Sequence, residues 1–507
     1  MISFLKRAAS KIGRFFWSWG FLKFVLLAFT LCIFLYVEED WRGARAWVAT
    51  QAKWQAQGET FDIFQLSPRP VPRDQNLAAL PLFKMEPNAA DKAALQPLAL
   101  NQAFRINPSY DLPRGGNWQK GKLADAQKNR KLVTDTYLSV FKALPPTQDS
   151  LAEFNALYPA LDELRLAAAS HPYCQFEQNY RFDEPYHLYL PLITAQIKLS
   201  QFLTAHAILA LDAPKPDVAL EDIETNFKLV SGLREQPLLV SGLCAIGMTS
   251  VNFSVIYQGL VTHAWNDAQL AELQNVLAQT DFLADYQHSI RGEACISTSF
   301  LDQFKHQTSH AVTGLYPKRQ DSAPFFRPDG WIDMSKARSA NFDLTAVHFV
   351  DVNKRVLSPH AVDQFVADVE TKQRSVGASF SLWNILSRVA VGPIKSAVQK
   401  FVQMQVWVDE ARIACALERY RLAHGTYPGS LAALIPSDID ELPHDIMTGE
   451  PYHYQLRADG TFLLYSVGWN GTDDGGSVVF KKDAPIQIDY NQGDWVWPTP
   501  DHGNYHH

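Results

Sequence analysis

The longest unbroken apolar stretch of the chain runs from Phe15 to Val37 (FFWSWGFLKFVLLAFTLCIFLYV), close to its start. At about 1.5 Å of rise per residue, a helix of this length crosses a hydrocarbon core that is about 30 Å thick. Basic residues without acids precede the run, and the acids Glu38 to Asp40 follow it, so the positive-inside bias places the N-terminus in the cytoplasm. The pattern predicts a single membrane anchor with the bulk of the chain outside.

A cleaved signal peptide is the alternative to this anchor. Signal peptides carry an apolar stretch of roughly 7 to 15 residues with a small-residue cleavage site close behind it. Here the run is longer, and the nearest such site, Ala44-Arg45-Ala46, lies beyond the acidic residues. We therefore favour an uncleaved anchor.

Two contrasting segments follow the span. Trp41 to Gly58 has the spacing of a short helix that continues the membrane helix outward and stops at its glycine. Between Ser67 and Trp118 prolines recur, which excludes long helices and favours an extended linker. The linker nevertheless carries apolar side chains that a solvated tether does not need: Leu77, Leu80, Leu82, Phe83, Phe104 and Tyr110.

Apolar residues recur at helical spacing almost without a break from about residue 119 to 307. Capping boxes at Ser150 to Glu153 and at Asn266 to Gln269 mark helix starts, and the first helix is predicted to run through Ala169. Short connections between helices predict antiparallel packing, as a bundle or a short solenoid. These helices are predicted at roughly 187–211, 217–234, 237–263 and 266–279.

The run Pro237 to Val261 is apolar enough to raise the question of a second membrane span. Serine, threonine and asparagine residues interrupt it, and no basic cluster flanks it. We therefore predict a buried central helix.

The helical period lapses between Thr308 and Pro359, which we interpret as an irregular excursion. It returns from Ala361 to Arg374 and again from Lys395 to His424, where Gly425 ends the helix. The chain is thus predicted to be mainly α-helical up to this point.

Two alternating segments near the C-terminal end predict a β-hairpin. They are Tyr452 to Leu456 and Phe462 to Val467, on either side of the turn signal Ala458-Asp459-Gly460. Together with the preceding helix they predict an α+β module. The predicted domains are an anchor at 1–40, a membrane-proximal segment at 41–118, a helical body at 119–390 and the module at 391–507.

Charge and cysteine usage narrow the function classes. Removing the five basic residues of the N-terminal segment from the total of 46 leaves 41 against 53 acidic residues, a net charge of about −12 outside. This balance argues against nucleic acid as a partner, because phosphates need a basic face. No CxxC spacing occurs, and we interpret Cys174, Cys244, Cys295 and Cys415 as buried free thiols rather than disulfides.

Several groups of polar residues resemble sites only superficially. His171 to His187 collects histidines, a cysteine and acids, but its prolines indicate a loop and its spacing matches no ligand pattern. Arg291, Glu293 and Asp302 lie on one predicted helix, where an exposed or ion-paired face is favoured over a general acid at Glu293. The two Val-Ser-Gly-Leu copies, at 230–233 and 240–243, lack a nucleophile elbow, so a packing role is favoured.

The best candidate for a small site is the loop Asn470 to Gly476 together with a later aspartate. Asp473, Asp474 and Asp494 would place carboxylates on glycine-bent backbone, which suits a hard cation such as calcium. The alternative is an ordinary turn, since Asn, Gly and Asp are common turn residues. The residues by themselves leave both alternatives open.

The C-terminal stretch resembles the soluble part of type II secretion major pseudopilins. The matching segments are ALERYRLAHGTYPGSLAALIP (416–436), LPHDIMTGEPYHYQL (442–456), FLLYSVGWNGTDDGG (462–476) and GDWVW (493–497). The turn motif Y-x-x-x-x-G-x-Y-P is carried by Tyr420, Gly425, Tyr427 and Pro428, and the strand-end motif by Tyr465, Ser466 and Gly468. The resemblance implies a helix on a small sheet and calcium in the aspartate loop. In that family the module directly follows an N-terminal hydrophobic helix, whereas here hundreds of residues precede it.

Four earlier segments are similar to a set of bacterial membrane-anchored proteins that end in the same module. They are Trp41 to Trp47, Pro68 to Ala78, Leu233 to Leu239 and Asp281 to Glu293. This similarity implies an architecture and no activity.

These inferences lead to a functional hypothesis and an alternative. We expect a non-enzymatic, single-pass protein of the bacterial inner membrane with its bulk in the periplasm, serving interaction or assembly near a type II secretion or pilus-like system. The alternative is an envelope hydrolase with its site in the helical body.

Overall fold

The computed structural model describes residues 19–87, 95–104, 118–123, 149–176, 190–306, 328–375, 382–484 and 487–499. Over these residues the chain is mainly helical. The helices are α1 (Trp19–Gln55), α2 (Ile63–Leu66), α3 (Leu98–Ala103), α4 (Ser150–Leu157), α5 (Ala160–Ser170), α6 (Leu190–Asp212), α7 (Pro216–Arg234), α8 (Leu239–Val261), α9 (Asp267–Ala278), α10 (Phe282–His306), α11 (Gly330–Val347), α12 (Pro359–Ser375) and α13 (Leu382–His424). The strands are β1 (Glu86–Pro87), β2 (Leu95–Gln96), β3 (Val350–Asp351), β4 (Val356–Leu357), β5 (His453–Leu456), β6 (Phe462–Ser466), β7 (Val478–Phe480), β8 (Ile488–Gly493) and β9 (Trp495–Trp497).

The chain forms two compact units, each assembled from stretches that are distant in sequence. Unit 1 comprises residues 1–61, 294–344 and 379–387, and unit 2 comprises residues 62–293, 345–378 and 388–507. The long-range contacts that define these units cannot be read from local patterning, and neither unit coincides with one of the predicted domains.

Helix α1 is continuous across the predicted end of the membrane span. None of its most apolar 18-residue window is buried, whereas Gly43, Thr50 and Trp54 on its outer half are. Gly58, with φ of +87°, follows the helix. The predicted outward continuation of the membrane helix is confirmed, and α1 is long and apolar enough to span a bilayer.

Helix α8 also has the length and composition of a span, but 56% of its apolar window is buried. It packs against α6 and α7 in unit 2. Gly242, the glycine of the second Val-Ser-Gly-Leu copy, lies so close to Phe401 that a Cβ there would come within 2.5 Å of its ring. The burial agrees with the predicted central helix and with a packing role for the small residues.

Of the two predicted capping boxes, the one at Asn266 is confirmed and the one at Ser150 is wrong. Asn266 and Gln269 form the expected capping box at the start of α9. At the other site Asp149, not Ser150, is the N-cap, because its side chain accepts a hydrogen bond from the Ala152 amide. The single helix predicted through Ala169 is also wrong: α4 ends at Leu157, and α5 starts after Pro159.

The proline-rich segment is not a free linker where the structure describes it. Asn76 Nδ2 donates to the Gln175 carbonyl at 2.8 Å, and the Gln175 amide donates back to Asn76 Oδ1 at 2.8 Å. Leu77, Phe83 and Phe104 are buried, as their apolar character suggested, while Tyr110 lies outside the described residues. Burial of these anchors explains why a segment too rich in proline for long helices is still ordered where the structure describes it.

The prediction of irregular structure between residues 308 and 359 is wrong for the part of this segment that the structure describes. Helix α11 starts at Gly330, and β3 and β4 pair as an antiparallel hairpin. The helical period is obscured because Asp333, Lys336 and Asp343 are polar yet buried. Residues 307–327 lie outside the described part of the chain.

Helix α13 is the central helix of unit 2. Its residues from Phe401 to Leu417 are buried with the exception of the half-buried Arg412, so the helix is covered on all sides. Trp407 meets Trp118 edge-on at 5.0 Å between ring centroids, and Trp118 also contacts Trp497 on β9. The helix predicted to belong to a separate C-terminal module is therefore packed against the helical body as well.

Small antiparallel sheets follow α13, as predicted. Strands β5, β6 and β9 form one sheet in that order, and β7 pairs with β8. The hairpin of β5 and β6 turns at Gly460, with φ of +82°. Ser430 precedes the short 3₁₀ turn Leu431–Leu434, but its side chain makes no capping hydrogen bond.

Candidate functional site

Asp494 lies between β8 and β9 and is fully buried. Its Oδ2 accepts hydrogen bonds from the amides of Gly476 at 2.7 Å and Ser477 at 3.3 Å, and its Oδ1 accepts from the amide of Asp474 at 3.2 Å. Burial raises the pKa of Asp494, and these amide hydrogen bonds oppose the rise. The carboxylate thus fastens the 470–476 loop to the sheet through backbone groups.

The other two predicted ligands face different partners. Asp473 Oδ1 accepts from the Gly475 amide and from the Tyr465 hydroxyl, both at 2.9 Å, and these two hydrogen bonds hold the pKa of Asp473 below its usual value. Asp474 Oδ2 accepts from the Asn470 side-chain amide at 2.8 Å. The structure brings the backbone of Asp474 to Asp494 rather than bringing the three carboxylates to one point.

Among the described residues, no group of three or more His, Cys, Asp or Glu side chains is arranged to hold a metal ion. Positive φ at Gly475 and Gly476, +70° and +79°, lets the loop bend its amides toward Asp494. Calcium binding by Asp473, Asp474 and Asp494 stays a prediction, and it would require carboxylates to exchange amide partners for the ion.

A second acidic cluster, which sequence analysis missed, lies between α13 and the β5–β6 hairpin. Asp409 and Glu410 are consecutive on α13, and Asp445 precedes β5. Asp445 Oδ1 accepts from the Ser466 hydroxyl at 2.9 Å, and its Oδ2 accepts from the Val467 amide at 3.0 Å. An Asp-Glu pair inside an otherwise apolar helical run was the signal available in the sequence.

Glu410 is the most unusual group of this cluster. It is 0% exposed, and in the described part of the chain neither carboxylate oxygen has a hydrogen-bond partner of good geometry. Desolvation raises the pKa of Glu410 well above its ordinary value, and the charges of Asp445 and Asp409 raise it further against the opposing amide of Ser466. Burial therefore favours the protonated, neutral form of Glu410 over its charged form.

Asp409 is better compensated. Its Oδ1 accepts from the Gln405 side-chain amide at 3.0 Å, and the Arg355 guanidinium lies 3.7 Å from its Oδ2. Burial still raises the pKa of Asp409 to about 6. Such a value is typical of a general acid or base, but Asp409, Glu410 and Asp445 are each at most 1% exposed, so no substrate reaches them in this structure.

The remaining candidates are also explained by contacts. Glu293 Oε1 accepts from the Leu239 amide at 3.0 Å, and burial raises the pKa of Glu293. It therefore caps the first turn of α8, where sequence analysis expected an exposed or ion-paired face. Asp302 does pair with an ammonium, that of Lys336. Of the 171–187 group, His171 Nδ1 contacts the Ala167 carbonyl, and residues 177–189 lie outside the described part.

Comparison of this chain with family models, with curated proteins and with solved structures finds no match. The pseudopilin resemblance therefore rests on its sequence motifs.

Proposed function

We propose that this protein is a membrane-anchored extracytoplasmic interaction or assembly protein without catalytic activity of its own. The observation that supports the proposal is the division within α1. No residue of its apolar window is buried, as suits contact with lipid, whereas Gly43, Thr50 and Trp54 beyond that window are buried in unit 1. One rigid helix thus joins a lipid-facing span to a folded unit outside.

The chemistry of the described acidic groups favours binding over catalysis. The Asp409 carboxyl, whose pKa is about 6, is sealed between α13 and the sheet, and the aspartate loop uses its carboxylates to hold its own backbone. The type II secretion or pilus-like system is the proposed setting on the strength of the sequence motifs.

An envelope hydrolase is the second candidate, favoured by the pKa of about 6 at Asp409. It would need a rearrangement that exposes this carboxyl. Asp409→Asn would then abolish function in the cell, whereas an assembly role tolerates the substitution as long as the protein folds.

Crosslinking of the full chain in native membranes tests the assembly role. We expect secretion or pilus components to be recovered with the wild-type chain and with Asp409→Asn alike. As a control, the chain would be released into the periplasm by replacing residues 1–40 with a cleavable signal peptide. Recovery of no such component from either anchored form would refute the proposed setting.

A further inference from the structure

The N-terminal end of α11 touches the outer end of the membrane span. The Gly330 amide donates to Asp40 Oδ1 at 2.8 Å. A Cβ added to Gly330 would lie 2.0 Å from the Glu39 carbonyl oxygen, and one added to Gly43 would lie 1.9 Å from the Gly330 carbonyl oxygen. The two backbones are therefore in direct contact, and the depth of Gly330 relative to the bilayer is fixed by residues 39–43.

From this contact α11 runs outward beside α1. The Lys336 ammonium lies 4.3 Å from the centre of the Trp47 ring, and Asn341 Oδ1 accepts from the Trp54 indole at 3.0 Å. Each contact pairs positions further along both helices, so α1 and α11 are parallel.

The end of α10 in unit 1 runs the opposite way. The Ser297 hydroxyl donates to Asp343 at 3.2 Å, near the outer end of the α11 contacts. Lys305 pairs with Asp333 at 2.9 Å, one turn from Gly330. Helix α10 therefore ends on the side of unit 1 where α11 begins.

Two exposed tryptophans define the interface depths of α1. Trp19 is 79% exposed and Trp41 is 59% exposed. Their 22-residue separation corresponds to about 33 Å, close to the hydrocarbon thickness of about 30 Å. Tryptophan is enriched where hydrocarbon meets headgroups, so Trp41 marks the outer interface, and Gly330 lies at the same depth.

We propose that the membrane-side tip of unit 1, defined by Trp41, Arg45, Asp329 and Trp331, is seated among the phospholipid headgroups of the extracytoplasmic leaflet. The Arg45 guanidinium lies 5.3 Å from the Trp41 ring centre, which places a cation beside an exposed indole. This pair suits an interface that offers phosphate oxygens to the cation and acyl chains to the ring. The headgroup layer, about 5–7 Å deep, covers Asp329, which directly precedes α11, but ends well short of Arg338 on that helix.

This inference rests on the proposed anchoring and goes beyond it. A span followed by a hinge would let unit 1 move freely above the membrane. The backbone contact at Gly330 instead sets unit 1 upright on the bilayer, with α11 rising from the headgroups.

Fluorescence quenching in lipid nanodiscs tests the seating. The full chain would carry Cys32→Ala and Cys244→Ala, since Cys174, Cys295 and Cys415 are buried. A fluorophore would then be attached to Asp329→Cys or to Arg338→Cys, two exposed positions nine residues apart. We expect a nitroxide on the lipid headgroup to remove about half of the fluorescence at position 329 and little at 338, which lies about 13 Å further along the helix.

A third label at Leu27→Cys distinguishes a failure of the headgroup seating from a failure of the membrane anchor. A nitroxide on the acyl chain should quench it if α1 spans the bilayer. Quenching at 27 with equally weak headgroup quenching at 329 and 338 would overturn the seating and leave the anchor intact. Absence of quenching at 27 would overturn the anchor itself. If the fluorophore at position 329 is equally shielded from a water-soluble quencher in detergent and in nanodiscs, a protein contact rather than the headgroups covers the tip. That result would also overturn the seating.

Discussion

At the scale of single residues, two glutamates of α13 show how surroundings decide the state of one side-chain type. Among the described residues Glu410 is buried without a hydrogen-bond partner of good geometry, and its pKa is raised. Eight residues later, burial would also raise the pKa of Glu418, but hydrogen bonds from Arg421, His263 and Tyr427 outweigh it and lower the pKa. Sequence alone gives both residues the same helical context.

The two glutamates predict opposite dependences of stability on pH. The folded pKa of Glu410 lies above its ordinary value of 4.5. Between the unfolded and the folded pKa the native state therefore binds more protons than the unfolded state, and the free energy of unfolding falls as pH rises through this range. We expect Glu410→Gln to match the wild type near pH 4 and to be about 1–3 kcal/mol more stable at pH 8. Denaturation of the full chain in detergent at both pH values measures this.

Glu418→Gln is the matched control with the opposite sign. The folded pKa of Glu418 lies below 4.5, so its stabilisation is present above that value and is lost as pH falls through the folded pKa. The substitution should lower the free energy of unfolding by about 1–3 kcal/mol at pH 8, and by progressively less as the pH falls into the acid range. Parallel pH profiles for the two variants would contradict both assignments.

At the scale of elements, the packing of α1 on α11 depends on glycine. Gly43 and Gly330 allow their backbones to meet, and Asp40 supplies the hydrogen bond to the first amide of α11. A side chain at either glycine would separate the helices. This contact is therefore one of the points at which α11 packs against α1 within unit 1.

Gly43→Ala tests the contact, with Gly247→Ala on α8 as its control. The first substitution should destabilise unit 1 by about 1–3 kcal/mol through overpacking. The second meets nothing within 4 Å and should stabilise its helix by about 0.5–1 kcal/mol. Hydrogen exchange along α11 and α8 reports each effect locally, and unchanged exchange at α11 in Gly43→Ala would show that the helices are not in contact.

The aspartate loop is an element whose ligand is still a prediction. If calcium binds with a dissociation constant near 10⁻⁴ M, millimolar calcium should add roughly 1.4 kcal/mol to stability. Thermal unfolding of the full chain with calcium or chelator would detect it, and an Asp473→Ala, Asp474→Ala variant should lose the response. Equal melting in both buffers for the wild type would identify the loop as a turn held by Asp494.

At the scale of the whole molecule, the predicted topology follows from one exposed apolar window in α1 and one largely buried window in α8. The predicted single crossing would place the C-terminal end outside. Because α8 packs against α6 and α7, its buried apolar side chains are covered by protein rather than by lipid.

Removing residues 1–40 tests this topology. The remaining chain should be recovered without detergent, because its other apolar helix is covered by protein. A cytoplasm-specific reporter fused to the C-terminal end of the full chain should be silent. Recovery of the shortened chain only in membranes, or an active reporter, would indicate that α8 inserts.

Features that depend on neighbouring residues could be predicted from the sequence. The long apolar helix follows from apolar length, the capping box at Asn266 from side-chain chemistry within one turn, and the hairpin at Gly460 from alternation around a glycine. The sequence could also suggest the aspartate loop as a site. Its candidate ligands lie within the seven residues from Asn470 to Gly476, with Asp494 as one later addition.

Tertiary structure decided the features that depend on distant partners. Helix α11 escaped detection because Lys336 and Asp333 are polar but are paired inside unit 1 with opposite charges from α10. Asp494 proved to accept hydrogen bonds from backbone amides of the loop, a pairing between residues that are about twenty positions apart in sequence. The burial of Glu410 arises only when the sheet closes over α13, because desolvation is a property of the packed chain and not of the residue or its neighbours in sequence.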